Sequence, residues 1–343
     1  MGLPTRRNAD IPLSMSASFR DQIFRISNEQ EFERAALEIF RLQARENSVY
    51  RQYISLLGVT TEDVTSVGRI PFLPIEFFKN HMIITGNNEP VKIFESSGTT
   101  GSETSRHYIT DLQVYEESFL SSFRIFYGDP ADYFFAALLP SYIERGNSSL
   151  VYMADVLIKK SREEGSSFFL DDTDRLLTAL KNIQSGRRKG MLIGVSFALL
   201  ELAEKYSPDL SEITVVETGG MKGRRRERTR EELHAVLKAK LNIESVHSEY
   251  GMTELLSQAW SKGEGIFFTP PWMRIMLREI NDPLSVFVDS GITGGINIID
   301  LANYNSCSFI STGDLGRLHP GGGFEVLGRF GNSDLRGCNL LIQ

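Results

Sequence analysis

From residue 132 onward, short apolar runs alternate with amphipathic stretches, and no other feature of the chain restricts its fold as strongly. Residues 133–139, 167–170, 189–195, 213–217 and 245–249 read as strands. Between them, 149–163, 172–185, 197–206 and 228–241 carry helical spacing. Strands joined through helices run parallel, and a parallel sheet needs helices on both faces. The expected class is therefore α/β, with mostly parallel sheets flanked by helices. Upstream, 27–57 has one helical stripe, with Phe32, Ala35, Ile39 and Phe40 on one side and Glu31, Arg34, Glu38 and Arg41 on the other. From 263 to 323 glycines and prolines punctuate shorter strand-like runs (274–277, 285–288, 295–299), which predicts a smaller, antiparallel, distorted barrel-like lobe. The expected organisation is a helical segment with α/β subdomains over 1–262, a β-rich lobe over 263–327 and a short tail over 328–343.

Ligands of parallel sheets lie beyond the carboxyl ends of the strands. Those ends carry Thr218-Gly219-Gly220 and Tyr250-Gly251. Tyr250-Gly251-Met252-Thr253-Glu254 offers a hydroxyl and a carboxylate after a glycine turn, and Ser311-Thr312-Gly313-Asp314 places a carboxylate beyond Phe309-Ile310. Earlier, Ser96-Ser97-Gly98-Thr99-Thr100-Gly101 follows the apolar run 91–94. Glycines there let backbone N–H groups turn toward an anion, and the hydroxyls add rotatable donors. With no Lys following, the segment is not the GxxxxGK[ST] loop. The same composition also makes ordinary surface turns, so the loop gains meaning from its companions.

In order along the chain, Ser96–Gly101, Tyr250–Glu254, Ser311–Asp314 and then Gly328-Arg329 with Asp334 resemble the core motifs of the adenylate-forming superfamily of acyl-CoA synthetases, peptide-synthetase adenylation domains and luciferases. The text around them is similar to the LuxE-type acyl-protein synthetases of the bacterial bioluminescence fatty-acid reductase complex: Ile70–Pro74 with Phe77-Phe78-Lys79, Pro140-Ser141-Tyr142 with Ser148-Ser149-Leu150, Thr218–Gly223 and Arg336-Gly337-Cys338. The resemblance runs from about residue 20 to the end. It implies ATP and Mg²⁺ as cofactors, a fatty or other carboxylic acid as substrate, and a fatty-acid reductase as partner protein.

It also implies roles. Ser96, Ser97, Gly98, Thr99, Thr100 and Gly101 would cradle the β and γ phosphates; Glu254 would hold Mg²⁺; Thr253 would donate to the α-phosphate. Asp314 would accept from the ribose hydroxyls, Arg329 would contact the same edge, Gly219 and Gly220 would leave room for adenine, and Tyr250, before Gly251, would stack on the base. Cys338 would take the acyl group as a thioester. The sequence departs from the superfamily where Gly101 is followed by Ser102-Glu103-Thr104 in place of a Pro-Lys-Gly segment, which leaves Mg²⁺, Arg106 and Lys222 as sources of positive charge. The mobile C-terminal domain that usually brings a catalytic lysine is expected to be absent, as in the short acyl-protein synthetases. Two other readings stay open: an acid:CoA or acid:carrier ligase with a truncated C-terminal domain, and a nucleotide-binding partner protein without turnover.

Composition narrows the classes further. A chain of 343 residues can bury a large core, and a net charge of -7 argues against a general nucleic-acid binder. The exception is Lys222–Arg230 with its five arginines, which reads as a solvated helix start. No stretch approaches the roughly 18 apolar residues of a membrane span, and no apolar region follows the charged first ten residues. Two cysteines, Cys307 and Cys338, make neither a disulfide framework nor a zinc site, so a reducing cytoplasm is the expected compartment. Cys307, in the strand-like run 305–310, reads as a small buried hydrophobe. The scattered histidines suggest no structural metal, and His107 and His247, near the loop and the Tyr250 motif, read as hydrogen-bonded structural residues. The doublets Phe77-Phe78, Phe134-Phe135, Phe168-Phe169 and Phe267-Phe268 read as core packing, which leaves the length of the acid unspecified.

Overall fold

The expected N-terminal helix is two helices, α1 (Glu29–Glu46) and α2 (Ser48–Leu56). The break is Asn47, which has an extended backbone. Its side-chain oxygen accepts from the Tyr50 N–H (3.0 Å) to cap α2, and its amide donates to the Ser306 carbonyl (2.8 Å). The apolar stripe continues across the break through Tyr50 and Ile54, so periodicity cannot reveal it. The computed structural model describes residues 19–96, 104–139, 146–170, 172–184, 189–219, 229–280, 282, 284–287 and 290–329. After the helices come β1 (Leu73–Pro74), the single turn α3 (Phe77–Asn80) and a hairpin of β2 (Lys92–Glu95) and β3 (Arg106–Ile109).

Next is a helix that the sequence pattern did not reveal, α4 (Leu112–Tyr127), capped by Asp111, which accepts from Gln113 N–H (2.9 Å). Its buried stripe includes Ser118 and Ser122, and these polar residues hide the helical period. Both are satisfied: Trp272 and Trp260 donate their indole N–H groups to Ser118 (3.2 Å) and Ser122 (3.0 Å).

The predicted alternation follows as β4 (Tyr133–Leu138), α5 (Ser149–Lys160), β5 (Ser167–Phe168), α6 (Thr173–Gln184), β6 (Lys189–Val195), α7 (Ser196–Tyr206), β7 (Ile213–Thr218), α8 (Arg230–Leu241) and β8 (His247–Tyr250), and then β9 (Ala259–Ser261). Among the described residues these strands form one sheet in the order β5-β4-β6-β7-β8-β9, parallel except for β9. Alternate residues of β4 serve opposite faces. Tyr133, Phe135 and Ala137 join the core with α4 and α5, and Phe134, Ala136 and Leu138 pack with α6, α7 and α8. Covering both faces is what makes the strands read as continuous apolar runs.

The second sheet takes β10 (Ile266–Phe267), β11 (Met273–Arg278), β12 (Val286–Phe287), β13 (Thr293–Asp300), β14 (Phe309–Leu318) and β15 (Phe324–Arg329), antiparallel in the order β10-β15-β14-β13-β11-β12. It also draws β1 from far upstream, parallel to β14 with Leu73 opposite Ile310. Arg278, buried, ties β13 to β14 by donating to Ile296 O (2.9 Å) and Thr312 O (2.6 Å). Gly295 makes room for it, since a Cβ there would lie 2.6 Å from the guanidinium carbon.

The expected strand over 305–310 is a correction. Residues Leu301–Asn305 form a 3-10 turn and β14 begins only at Phe309, because buried polar contacts hold the backbone before it. Gln43 of α1 donates to the carbonyls of Asn303 (3.2 Å), Tyr304 (3.1 Å) and Ser306 (3.2 Å) and accepts from Ser308 N–H (3.0 Å). Cys307, between this turn and β14, is fully buried, as read from the sequence. No helix among the described residues is long and apolar enough to cross a membrane.

Candidate functional site

Tyr250 closes β8, and its hydroxyl crosses to the second sheet, donating to Asp314 Oδ2 (2.8 Å). Register places Arg329 of β15 opposite Asp314 of β14, and Arg329 Nε donates to Oδ1 (2.9 Å). Asp314 is 4 % exposed, so both of its oxygens are fixed from opposite sides by donors of known direction. Beneath it, Asp314 N–H donates to Thr312 Oγ1 (3.1 Å), and Thr312 donates to Ile296 O (2.9 Å). Asp314 lifts the Arg329 guanidinium above its ordinary range, while burial, followed by Asp314, holds the Tyr250 phenol well above its own.

Glu254 joins this group. It is 5 % exposed, and burial raises its carboxyl above the usual range, opposed by a donor from Ser105 and by the charge of Arg329, and reinforced by Asp314. Two carboxylates thus share one guanidinium, which is already bonded to Asp314. Among the described residues, Arg329 is the cation that acts on Glu254.

The backbone carrying Thr253 and Glu254 is pinned from two other parts of the chain. His107 Nδ1 on β3 lies 2.8 Å from Thr253 O, Asn303 Nδ2 donates to Glu254 O (2.7 Å), and Asp300 Oδ2 accepts from the N–H groups of Leu256 (2.8 Å) and Ser257 (2.9 Å). Ser257 Oγ adds a bond to Asp300 Oδ1 (2.6 Å). Facing a carbonyl, His107 Nδ1 carries the proton, and burial pulls the ring down to about 4, so it is neutral near pH 7. His107 and His247 were legible as structural histidines. Asp300 and Asn303 gave no sequence signal, since they meet Ser257 and Glu254 from 43 and 49 residues away.

The other predicted residues divide. Ser96 closes the neck of the hydroxyl-glycine loop: its N–H donates to Ser105 O (3.0 Å), and its hydroxyl accepts from Ser105 N–H (2.9 Å). Because Ser105 also acts on Glu254, the neck of that loop stands beside the carboxylate. Gly219 follows β7 at φ +70°, a conformation suited to glycine. Gly251 lies against Glu249, whose Oε1 a Cβ would strike. The Tyr250 ring packs against Phe267 (5.8 Å) and Phe324 (5.4 Å) and is 8 % exposed. Its place is therefore as an anchor for Asp314, with little face left open for a base. Ser97, Gly98, Thr99, Thr100, Gly101, Gly220, Lys222 and Cys338 lie outside the described residues.

No protein-family model matches the sequence, and no curated protein matches it. Solved structures do. ATP-bound MatB from Rhodopseudomonas palustris superposes with a TM-score of 0.52 at 18% identity, over 71% of this chain and 49% of that one. An ATP-bound RpMatB-BxBclM chimera gives 0.53 at 18% identity, over 71% and 48%. The fold is that of the N-terminal domain of adenylate-forming enzymes. The chain spans about half the length of these adenylate-forming structures. Within this fold the four convergent side chains stand where the last parallel strand, β8, meets the second sheet.

Changing Tyr250 to Phe keeps the ring packing and deletes only the donor to Asp314. The loss should cost about 1.5 to 3 kcal/mol, the range for a hydrogen bond to a charged group. Urea unfolding checks it, and a loss below about 0.5 kcal/mol would show that Asp314 does not depend on this bond.

Proposed function

We propose that the protein activates a carboxylic acid with ATP as an acyl adenylate and then transfers the acyl group to the thiol of Cys338. The observation that carries this reading is the convergence of Glu254, Asp314, Arg329 and Tyr250 at the end of β8. The ATP-bound state of the MatB structure with this fold supports it, and the resemblance to acyl-protein synthetases supports a fatty acid and a reductase partner.

Asp314 has two lone-pair sites committed to Arg329 and Tyr250, which leaves two to accept from ribose hydroxyls. The buried carboxylate of Glu254 fits a hard dication such as Mg²⁺, which prefers carboxylate oxygen and completes its shell with phosphate and water. When bound, Mg²⁺ supplies charge neutralisation on the phosphates. Thr253 sits one residue away as a donor toward the α-phosphate, its backbone fixed by His107. Residues 96–101 are the phosphate cradle, with Gly219 and Gly220 beside the base.

In the first step a carboxylate oxygen of the acid bonds to the α-phosphorus as the α–β phosphoanhydride bond breaks and pyrophosphate leaves. Catalysis here is mainly alignment and charge stabilisation. In the second, the Cys338 thiolate bonds to the acyl carbon, the acyl–oxygen bond to phosphate breaks, AMP departs, and the thiol proton passes to water. Nine residue steps separate Arg329 from Cys338, a reach of at most roughly 30 Å, and so short a tether holds the thiol at an effective concentration on the order of millimolar. Cys307 is excluded as acceptor: it is fully buried, its thiol donates to Phe309 O (3.4 Å), and burial pushes it up to about 12.

The test is labelled fatty acid with ATP and Mg²⁺, followed by neutral hydroxylamine. Label should sit on wild type and Cys307→Ser, be released by hydroxylamine, and be absent from Cys338→Ser, which should still form acyl adenylate. Label on Cys338→Ser would refute the acceptor assignment. Adenylate formation with no label on any form would favour an acid:CoA or acid:carrier ligase.

A further inference from the structure

Glu249, at the carboxyl end of β8, is a carboxylate that the proposed reaction does not use. Alternation along β8 turns Ser248 toward His234 of α8 and turns His247 and Glu249 toward the face covered by α4. In register beside Glu249, Thr218 at the end of β7 donates to Oε2 (2.6 Å). The other oxygen, Oε1, has no donor among the described residues. It stands over Gly251, where a Cβ would collide with it, so the glycine of the Tyr250–Glu254 motif leaves the space that this carboxylate occupies.

The groups facing Glu249 do not complete its bonding. Tyr115 and Tyr127 of α4 feel its charge, yet their hydroxyls are engaged elsewhere, with Ser149 O (2.9 Å) and His247 Nδ1 (3.2 Å). Glu217, the charged group that acts on it, belongs to the opposite face, bonded by Ser196 (2.5 Å) and 4.0 Å from His234. Withdrawal from water, with the Thr218 bond opposing and the Glu217 charge adding, holds the Glu249 carboxyl up to about 7. Glu249 is half-buried, with one oxygen bonded by Thr218 and the other free of a donor among the described residues, so that oxygen can accept from a ligand in place of water. The space beyond the strand ends is where a ligand of such a sheet lies.

We propose that Glu249 selects the acid, its Oε1 accepting a hydrogen bond from a hydroxyl or protonated amine that the substrate carries near its carboxyl group. The inference rests on the acid-activating reading above. Four residue steps separate Glu249 from Thr253, at most roughly 14 Å, so one acid molecule can reach both.

Acid-dependent exchange of labelled pyrophosphate into ATP, measured with octanoate, 3-hydroxyoctanoate and 3-aminooctanoate, tests this on wild type, Glu249→Gln and Glu249→Leu. Wild type should prefer a donor-bearing acid over octanoate by roughly 10- to 100-fold in kcat/KM. The 3-hydroxy and 3-amino arms identify which donor is used. Glu249→Leu should lose the preference. Glu249→Gln, which keeps an acceptor but no charge, should retain a preference for hydroxyl and lose one for ammonium. Equal use of octanoate by wild type, or an unchanged preference in Glu249→Leu, would overturn the role of Glu249 and leave acid activation standing. Exchange with none of the three acids would overturn both.

Discussion

Glu254→Gln should lower acid-dependent pyrophosphate exchange by about 10² or more, the usual cost of deleting one preorganised electrostatic group. The substitution preserves volume and leaves the backbone bond from Asn303 to Glu254 O in place, so the loop keeps its course. What it removes is the charge that fits a dication. Because burial already raises the Glu254 carboxyl, the neutral amide should leave the unfolding midpoint unchanged or higher, and the two readouts move apart. Exchange within about threefold of wild type would remove Glu254 from the machinery. A large fall in the unfolding midpoint would instead make it a structural residue.

Asp300→Asn should cost about 3 to 5 kcal/mol, the range for breaking a buried charged network by changing one partner. The carboxylate is fully buried and accepts from the N–H groups of Leu256, Ser257 and Ala302 and from the Ser257 hydroxyl. An amide in its place aims N–H at N–H on one side, and the donors on that side are left buried and unpaired. Urea denaturation measures the loss. A cost under about 1 kcal/mol would mean that water or a shift of the loop replaces the bonds. Asp300 and Glu254 therefore separate cleanly: the first should cost stability, the second turnover.

The parts of the fold legible in the sequence were those decided by apolar period. β4 and β6 are buried on both faces, and their apolar runs stand out within a residue of the true ends. What escaped was decided by polar side chains whose partners are distant. Asn47 breaks the expected N-terminal helix because Ser306 receives its amide, Ser118 and Ser122 hide α4 because two tryptophans satisfy them, and the strand expected from 305 starts only at Phe309 because Gln43 ties down the backbone of residues 303–308. The site divides in the same way. Tyr250, Glu254, Asp314 and Arg329 were visible as short motifs in order. That Tyr250 would hold Asp314 follows only from the placement of the two sheets, and no local pattern points to Asp300 or Asn303.

The Gln43 bonds have a consequence for how the chain is made. The residues they join are about 260 positions apart, so at 5 to 20 residues per second α1 leaves the ribosome roughly 13 to 50 s before its partner turn exists. Throughout that interval Phe40 has Tyr50 but lacks Phe309, and the Gln43 amide is met only by water. A helix made early is thus among the last to be locked, and the nascent protein spends most of its synthesis as a client for any chaperone that reads an exposed apolar helix.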